Sequence, residues 1–390
     1  MITRSYISIL FSIFLVRFTI FSSIPFLYIY ITQNELGSAV EAGLIVGLLP
    51  LTSSITGLFG GYLADRLDRR NILIFSCLFS STAFILFSLN QSLAVCAGFA
   101  FMIGFCQGFF EPASQTILGE MVDPKHRQRA FSHRYLIINV AATAGPFAGG
   151  LIFYDNKSTS FLIISLIYLV SSYVIFSFIK PQKTVEKSEK SHKSFSFMLN
   201  TLMTNNSVRT CFLSGLLLMC AYSQITSTLS IFVIENSDGG VTYFSKLLAL
   251  NAILVITLQL PLTRAAETIS RNSTILFSSV AMAAGFALPI ISEPSEAMFI
   301  TMIVLISIGE VLLFPISNSL FFEIAPDGQR ASFMGFFNAT MLGLAIGPPL
   351  GSIAVEHVDM SGLSLIIFFS VLLSGFGYLF ITKKQTQTEH

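Results

Sequence analysis

The stretch that decides the fold is GYLADRLDRRNILIF, from Gly61 to Phe75. It concentrates charge in a chain that is only 11% charged and 53% hydrophobic, with a mean hydropathy of +0.75. A soluble protein carries about a quarter charged residues, so the composition excludes an ordinary soluble core. We interpret the stretch as a loop between two membrane-spanning helices.

Apolar segments recur along the chain at the length of about 20 residues that a helix needs to cross a bilayer. We therefore predict an all-α polytopic membrane protein with twelve transmembrane helices. The predicted spans cover residues 5–32, 38–63, 72–90, 92–118, 131–153, 159–179, 208–234, 241–263, 273–292, 296–322, 331–355 and 361–381. A lysine-rich cytoplasmic linker, 181–207, is predicted between an N-terminal six-helix bundle, 1–180, and a C-terminal one, 208–390.

Lys and Arg fall mostly on one side of the predicted spans. With the N-terminus inside, the only Lys or Arg residues assigned to the outer side are Lys157 and Lys246. Since cytoplasmic loops carry an excess of Lys and Arg, both termini are predicted to be cytoplasmic. We expect a multi-pass monomer in membrane lipid, in a bacterial-type cytoplasmic (inner) membrane. The net charge of +1 gives no reason to expect a nucleic-acid partner.

The two halves of the sequence repeat each other. A shift of 202 residues places the opening stretch on TRAAETISRNSTILF, which ends at Phe277. The shift pairs Asp65 with Glu267 and Arg69 with Arg271. It also pairs Gly145, Pro146 and Gly149 with Gly347, Pro348 and Gly351. Six helices per half in the same orientation form a parallel repeat, which is typical of one large class of secondary transporters.

The opening stretch also resembles a family signature. GYLADRLDRR is similar to the loop G-x-L-a-D-r-x-G-r-r of the major facilitator superfamily, between helices two and three. The matching residues are Gly61, Leu63, Asp65, Arg66, Arg69 and Arg70. Asp68 stands where the family usually has Gly. The resemblance implies the major facilitator fold, in which helices one, four, seven and ten line a central cavity.

A second segment, ATAGPFAGG, ends at Gly150 and resembles the G-P-x-x-G-G signature in helix five of the drug:proton antiporter branch. That resemblance favours export over import. The branch usually has an Arg in helix four, three residues before a Gln-Gly pair. Here Gln107 and Gly108 are present, but the Arg position is Gly104.

Three charges lie well inside predicted spans, where charges are rare and mostly functional. Arg17, Glu111 and Glu310 fall in helices one, four and ten. They are the predicted proton-coupling residues, because a carboxyl group in an apolar cavity can bind and release a proton. Arg17 pairs with Glu111 or holds an anionic group of the substrate, and a purely structural ion pair is the alternative. The predicted substrate-binding residues are Arg17, Gln107, Glu111, Tyr222, Gln224, Glu310 and Asn338.

Asp65 needs its own explanation, because acids contribute little to the inside-positive bias. A helix start carries unpaired N–H groups and partial positive charge, so Asp65 can cap one. The resemblance implies that this is helix eleven, just after Arg330, in an outward-open state only. For the arginines of the same stretch, the alternative is that they only fix which side of the membrane the loop lies on. The predicted gating residues are Gly61, Asp65, Arg66, Arg69, Arg70, Gly145, Pro146, Gly149, Gly150, Glu267, Arg271, Gly347, Pro348 and Gly351.

Together these features predict a secondary exporter that moves a small amphipathic molecule by proton antiport with alternating access. The cargo is a drug-like compound, as in multidrug resistance, or a carboxylate-bearing metabolite such as a siderophore. An importer or uniporter of the same fold, or a non-transporting membrane protein, is the alternative. The sequence contains no G-x-x-x-x-G-K-[ST] phosphate loop and no metal or nucleophile constellation. We expect neither an enzyme nor a cofactor beyond the proton gradient.

Overall fold

The computed structural model describes residues 3–89, 92–152, 157–181, 199–200 and 203–388, and these contain helices but no β-strand. The first six helices are α1 Arg4–Gln33, α2 Ala39–Ala64, α3 Arg69–Leu89, α4 Leu93–Glu120, α5 Arg127–Ile152 and α6 Lys157–Phe178. The next seven are α7 Asn206–Ser223, α8 Thr228–Glu235, α9 Gly240–Ala266, α10 Arg271–Ile291, α11 Glu296–Ile324, α12 Arg330–Asn338 and α13 Gly343–Thr388.

Ten stretches of the described residues are long and apolar enough to cross a membrane. The difference from the twelve predicted spans has two causes. The helix of the fifth span, α5, is not among the ten. The eleventh and twelfth spans fall in one stretch, Arg330–Lys383. The count of twelve and the orientation of the termini stay predictions.

Two predicted spans are interrupted rather than continuous. The seventh consists of α7, a short 3₁₀ turn at Gln224–Thr226 and α8, with a non-helical backbone at Ser227. The eleventh consists of α12, a 3₁₀ turn at Ala339–Leu342 and the first part of α13. Sequence hydropathy cannot detect these breaks, because the residues at both of them remain largely apolar or small.

The eleventh and twelfth spans are separated within α13 itself. The backbone leaves the helical region at Val358 and Asp359, and Asp359 has a φ of 57°. The Asp359 carboxylate then accepts a hydrogen bond of 2.9 Å from the N–H of Gly362. That contact is an N-cap, so a new helix begins at this point without an intervening loop.

The chain forms two compact units. The first contains Met1–Ala130, Ile137–Asn200 and Ala325–Ala339, and the second contains Phe131–Leu136, Thr201–Ile324 and Thr340–His390. Helix α12 therefore belongs to the first unit, and a short piece of α5 belongs to the second. The predicted linker at 181–207 lies largely outside the described residues, and the division that it implies stays a prediction.

The first unit has an aromatic core and a glycine-lined crossing of α2 with α12. Phe84 and Phe87 of α3 are fully buried and pack against Phe99 of α4 at centroid distances of 4.7 Å. A side chain added at Gly61 of α2 would overlap the carbonyl oxygen of Ala331 in α12. Here the two backbones touch directly, as small residues permit in helix pairs within membranes.

We expect Gly61→Ala to lower the free energy of unfolding, because the new methyl group meets the α12 backbone. Overpacking of this kind costs about 1–3 kcal/mol. Gly47→Ala is the matched control in the same helix, since a Cβ at Gly47 meets nothing within 4 Å. Replacing that glycine with alanine should be neutral or stabilise α2 by up to about 1 kcal/mol.

Thermal unfolding followed by far-UV circular dichroism measures both effects, because the chain has no Trp for fluorescence. Equal midpoints for the two variants would contradict the tight crossing.

Candidate functional site

The carboxylate of Asp65 pairs with the start of α12 inside the first unit. One carboxylate oxygen accepts a hydrogen bond of 2.9 Å from the N–H of Ala331. The other accepts from the N–H and the hydroxyl of Ser332, at 2.8 and 2.6 Å. These N–H groups lie in the first turn of α12, where they lack intrahelical partners and favour an anion. The capping contact predicted from the sequence is therefore present.

Further charges surround this contact. Arg69 lies 3.3 Å from Asp65 and 2.5 Å from Glu120 at the end of α4. Arg330 lies 3.7 Å from Glu120 and 2.7 Å from Asp327. Burial raises the pKa of the Asp65 carboxyl, while the donors from Ser332 and the charge of Arg69 oppose that rise. The five side chains form one alternating network of acids and bases.

The remaining charges of the Gly61–Phe75 stretch make local contacts that hold its conformation. The guanidinium of Arg66 lies over the ring of Tyr62, 4.3 Å from its centroid. Arg70 donates a hydrogen bond of 2.5 Å to the carbonyl oxygen of Phe176 in α6. Asp68 accepts a hydrogen bond of 3.0 Å from the N–H of Arg70 and so caps α3. Both Asp and Gly are good N-cap residues, which explains why Asp is accepted where the family has Gly.

The second unit contains a related ion pair. Arg271 binds Glu323 through two hydrogen bonds of 2.6 and 2.9 Å, and Ser319 donates a third to the same carboxylate at 2.8 Å. Arg271 corresponds to Arg69 in the repeat, and Glu323 stands one residue from the position equivalent to Glu120. Glu267, the counterpart of Asp65, is the C-cap of α9.

The glycine signature of α5 packs on α1 within the first unit. A Cβ at Gly145 would lie 2.7 Å from the Cβ of Phe21, so the helices are in close contact. Gly149 is buried, whereas Pro146 and Gly150 are exposed. At Gly145 the structure therefore gives a specific reason for the missing side chain.

The equivalent glycines of α13 pack on α7 within the second unit. A Cβ at Gly347 would overlap the Ser223 hydroxyl, and one at Gly351 would overlap the amide of Gln224. Pro348 lies between them inside the helix. The same 202-residue shift that relates Gly145 to Gly347 relates position 21 to position 223. The sequence repeat is therefore also a repeat of helix contacts.

Arg17 and Glu111 form the ion pair that the sequence suggested. The distance between a guanidinium nitrogen and a carboxylate oxygen is 2.6 Å, and the side chains are 24% and 11% exposed. The pair joins α1 to α4 inside the first unit. Its charges balance each other, which offsets much of the cost of removing them from water.

Two amides extend this pair along one face of α4. Gln107 precedes Glu111 by four residues and Gln115 follows it by four, and both amides are buried. The Gln115 side chain donates a hydrogen bond of 3.1 Å to Asn338 in α12. Together the ion pair, the two glutamines and Asn338 form a largely buried polar row, which we call the polar ladder.

The missing arginine of α4 has a steric explanation. A Cβ at Gly104 would lie 2.5 Å from the carbonyl oxygen of Leu49 and 3.0 Å from the Cβ of Thr52 in α2. A Cβ at Gly108 would overlap the hydroxyl of Thr56. At this crossing there is no room for a long side chain on α4, so the cation of this site comes from Arg17 instead.

Glu310 is the most enclosed acid of the second unit, with 1% of its surface exposed. One carboxylate oxygen accepts hydrogen bonds from the hydroxyls of Tyr135 and Tyr222, at 2.5 and 3.1 Å. The other accepts a hydrogen bond of 3.0 Å from the amide of Asn251, which also donates to Ser307 at 2.9 Å. In the part of the chain that the structure describes, all these partners are neutral.

Gln224 differs from the other predicted binding residues. Its amide nitrogen donates to the carbonyl oxygens of Cys220 and Gly347, at 3.1 and 2.8 Å. Its amide oxygen accepts from the hydroxyls of Thr228 and Ser227, at 2.7 and 3.3 Å. The side chain therefore holds the broken seventh span together, and its capacity for further hydrogen bonds is filled.

The structure adds residues that the sequence analysis did not select. Gln115 could have been found from its spacing to Glu111. Tyr135 could not, because nothing in the sequence relates the start of α5 to a residue 175 positions later. Glu111 and Glu310 belong to different compact units. Among the described residues, no group of three or more His, Cys, Asp or Glu side chains could hold a metal ion.

Comparisons with known proteins identify relatives over nearly the full length. The family model of the Major Facilitator Superfamily matches residues 9–338 and 238–390. An uncharacterized MFS-type transporter of Bacillus subtilis, YqjV, is 28% identical over 90% of this chain and 86% of its own. A Na(+), Li(+), K(+)/H(+) antiporter of Planococcus maritimus is 24% identical over 92% and 91%. The multidrug resistance protein MdtH of Salmonella typhimurium is 23% identical over 81% and 77%.

Solved structures show the same fold. The human organic anion transporter MFSD10 superposes with a TM-score of 0.77 at 14% identity, covering 96% of this chain and 99% of that one. The fucose:proton symporter FucP of E. coli superposes with a TM-score of 0.79 at 15% identity, covering 97% and 99%. At these identities the likeness concerns the fold alone.

We expect Arg17→Ala to destabilise the protein by on the order of 3 kcal/mol, because it leaves the Glu111 charge without its cation. The double variant Arg17→Ala/Glu111→Ala should recover much of that loss, since both charges are then gone. Chemical unfolding of the wild type, both single variants and the double variant completes a double-mutant cycle. Strictly additive losses would show that the two side chains do not interact.

Proposed function

Because the chain belongs to the Major Facilitator Superfamily, we propose that it is a secondary active transporter that exports a small amphipathic molecule in exchange for protons. It is a multi-pass membrane protein whose relatives are transporters and not enzymes. We place it in the cytoplasmic membrane of a bacterial cell. Proton exchange and the cargo are the parts of this proposal that need tests.

The environment of Glu310 is the observation that carries the proposal. A carboxylate that is removed from water without a cation beside it is costly. Tyr135, Tyr222 and Asn251 supply three hydrogen bonds but no charge. Binding a proton removes the uncompensated charge, and losing the proton restores it. Glu310 is therefore our proposed carrier of the transported proton.

Glu111 has the opposite environment and receives a different role. Its charge is balanced by Arg17, so a proton there would break an ion pair rather than relieve a lone charge. We assign the polar ladder of Arg17, Gln107, Glu111, Gln115 and Asn338 to substrate binding. Tyr222 touches Glu310 and is proposed to sense whether that acid is protonated.

The contact of Asp65 with α12 is our proposed gate. Its partners, the N–H groups of Ala331 and Ser332, come from the opposite half of the sequence. In alternating access by two six-span repeats, 1–180 and 208–390, such a contact forms in one state and breaks in the other. The Arg271–Glu323 pair of the second repeat is proposed to hold the equivalent loop.

Export rather than import is favoured by the glycine–proline signature of α5 and by the relatives. One relative is named an antiporter with protons and another a multidrug resistance protein.

The test of proton-driven export is transport into inside-out membrane vesicles with an imposed pH gradient, with multidrug dyes and acidic metabolites as candidate cargo. An exporter accumulates its cargo there and loses this ability when an uncoupler collapses the gradient. Accumulation that survives the uncoupler contradicts proton antiport.

Glu310→Gln should abolish accumulation driven by the pH gradient, because glutamine keeps the shape but cannot exchange a proton. Exchange of labelled for unlabelled cargo at equilibrium should continue, since it needs no net proton movement. Glu296→Gln removes an exposed acid and serves as the control. If the Glu310 variant still accumulates cargo like the wild type, the proton carrier lies elsewhere.

Asp65→Asn should slow turnover strongly while leaving substrate binding close to that of the wild type. The amide can accept hydrogen bonds from α12 but supplies no charge to the helix start or to Arg69. Asp68→Asn is the matched control, because Asn caps a helix as well as Asp does. Turnover is measured in vesicles and binding on purified protein. Lost binding in Asp65→Asn would count against a gating role.

A further inference from the structure

We infer that the polar ladder binds a neutral or zwitterionic solute that carries both hydrogen-bond donors and hydrogen-bond acceptors, such as hydroxyl and amide groups. The ladder consists of Arg17, Gln107, Glu111, Gln115 and Asn338. This inference rests on the proposed transport function and adds to it the chemical class of the cargo.

The ladder is a built row and not a scatter of polar residues. Gln107, Glu111 and Gln115 occupy every fourth position of α4, so they lie on one face of the helix and cover about 12 Å along its axis. Their exposed fractions are only 4%, 8% and 2%. Arg17 from α1 contacts this row at Glu111, and Asn338 from α12 contacts it at Gln115.

Apart from Glu111 Oε1, which forms the ion pair with Arg17, four polar atoms of the ladder are buried without a hydrogen-bond partner among the described residues. Two are acceptors, the amide oxygens of Gln107 and Gln115. Two are donors, the Nε of Arg17 and the side-chain nitrogen of Asn338. Buried polar groups are nearly always paired, and each unpaired one is costly. This concentration on one face of α4 and the two side chains that contact it therefore indicates a ligand that supplies the missing partners.

The unpaired atoms define what the ligand must carry. The two amide oxygens require N–H or O–H groups, and the two nitrogen donors require carbonyl or hydroxyl oxygens. The charges of Arg17 and Glu111 already balance each other, so a ligand with a net charge gains no compensating partner. A lipophilic cation such as tetraphenylphosphonium has no donors or acceptors, and it would leave all four groups unpaired.

The test measures binding to the purified full-length protein, which does not depend on transport. Chloramphenicol supplies hydroxyl and amide groups, dialanine is a zwitterion with an amide, and tetraphenylphosphonium has neither. We expect at least one of the first two probes to bind more tightly than tetraphenylphosphonium. The O-acetyl ester of chloramphenicol, which lacks one O–H donor, should bind about 3- to 10-fold more weakly than its parent if chloramphenicol is the bound probe.

Variants then locate the site. Gln107→Met and Gln115→Met keep the side-chain length but remove the amide oxygens, and each should weaken the bound probe by about 3- to 10-fold. Gln259→Met is the matched control, because it removes an equally buried amide from α9 in the second unit. The control should leave probe affinity unchanged.

Several outcomes would overturn the inference. They are tetraphenylphosphonium binding more tightly than both other probes, no binding of either donor-bearing probe, ladder variants that bind like the wild type, or an equal loss in the Gln259 control. Its failure is distinguishable from failure of the proposed function. If the protein exports tetraphenylphosphonium by proton exchange and the ladder variants transport it like the wild type, only the inference fails. If chloramphenicol binds tightly but no proton-driven transport occurs, only the proposed function fails.

Discussion

Backbone N–H groups at a helix start need acceptors wherever water is scarce, and the first turn of α12 obtains them from Asp65. The close approach of α2 to α12, backbone to backbone at Gly61 and Ala331, brings the carboxylate within reach. Once α12 is held there, Asn338 at its other end meets Gln115 on α4. The capping contact and the polar ladder therefore depend on the same helix placement.

The roles proposed for the two buried glutamates differ because the side chains around them differ. Glu111 and Glu310 both lie inside apolar helices, each followed within five residues by a proline. Glu111 has a cation beside it, whereas Glu310 has two phenol hydroxyls and an amide. A balanced pair is suited to a fixed polar surface, and an unbalanced carboxyl is suited to changing its charge.

Much of the fold and part of the candidate site could be predicted from the sequence, because membrane-spanning helices are recognisable by their composition and by the length of their apolar segments. The family, the capping role of Asp65 and the Arg17–Glu111 pair were predictable from residue type and position. The breaks at Ser227 and at Ala339–Leu342 were not, since they lie inside predicted spans and depend on local backbone conformation. Tyr135 and Asn251 reached Glu310 through helix packing alone, which no single sequence reveals.

The crossing at Gly104 also limits how this protein can change over time. An arginine at that position would meet the backbone of α2 at Leu49, so Gly104→Arg alone does not fit the present packing of α2 against α4. The helices would first have to separate, and a lineage that took that step would lose packing before it gained a charge. Arg17 is therefore hard to replace, because its loss leaves the Glu111 charge without a cation and an arginine at position 104 does not fit. Position 17 and position 104 are expected to be epistatic, each residue acceptable only in the company of the other.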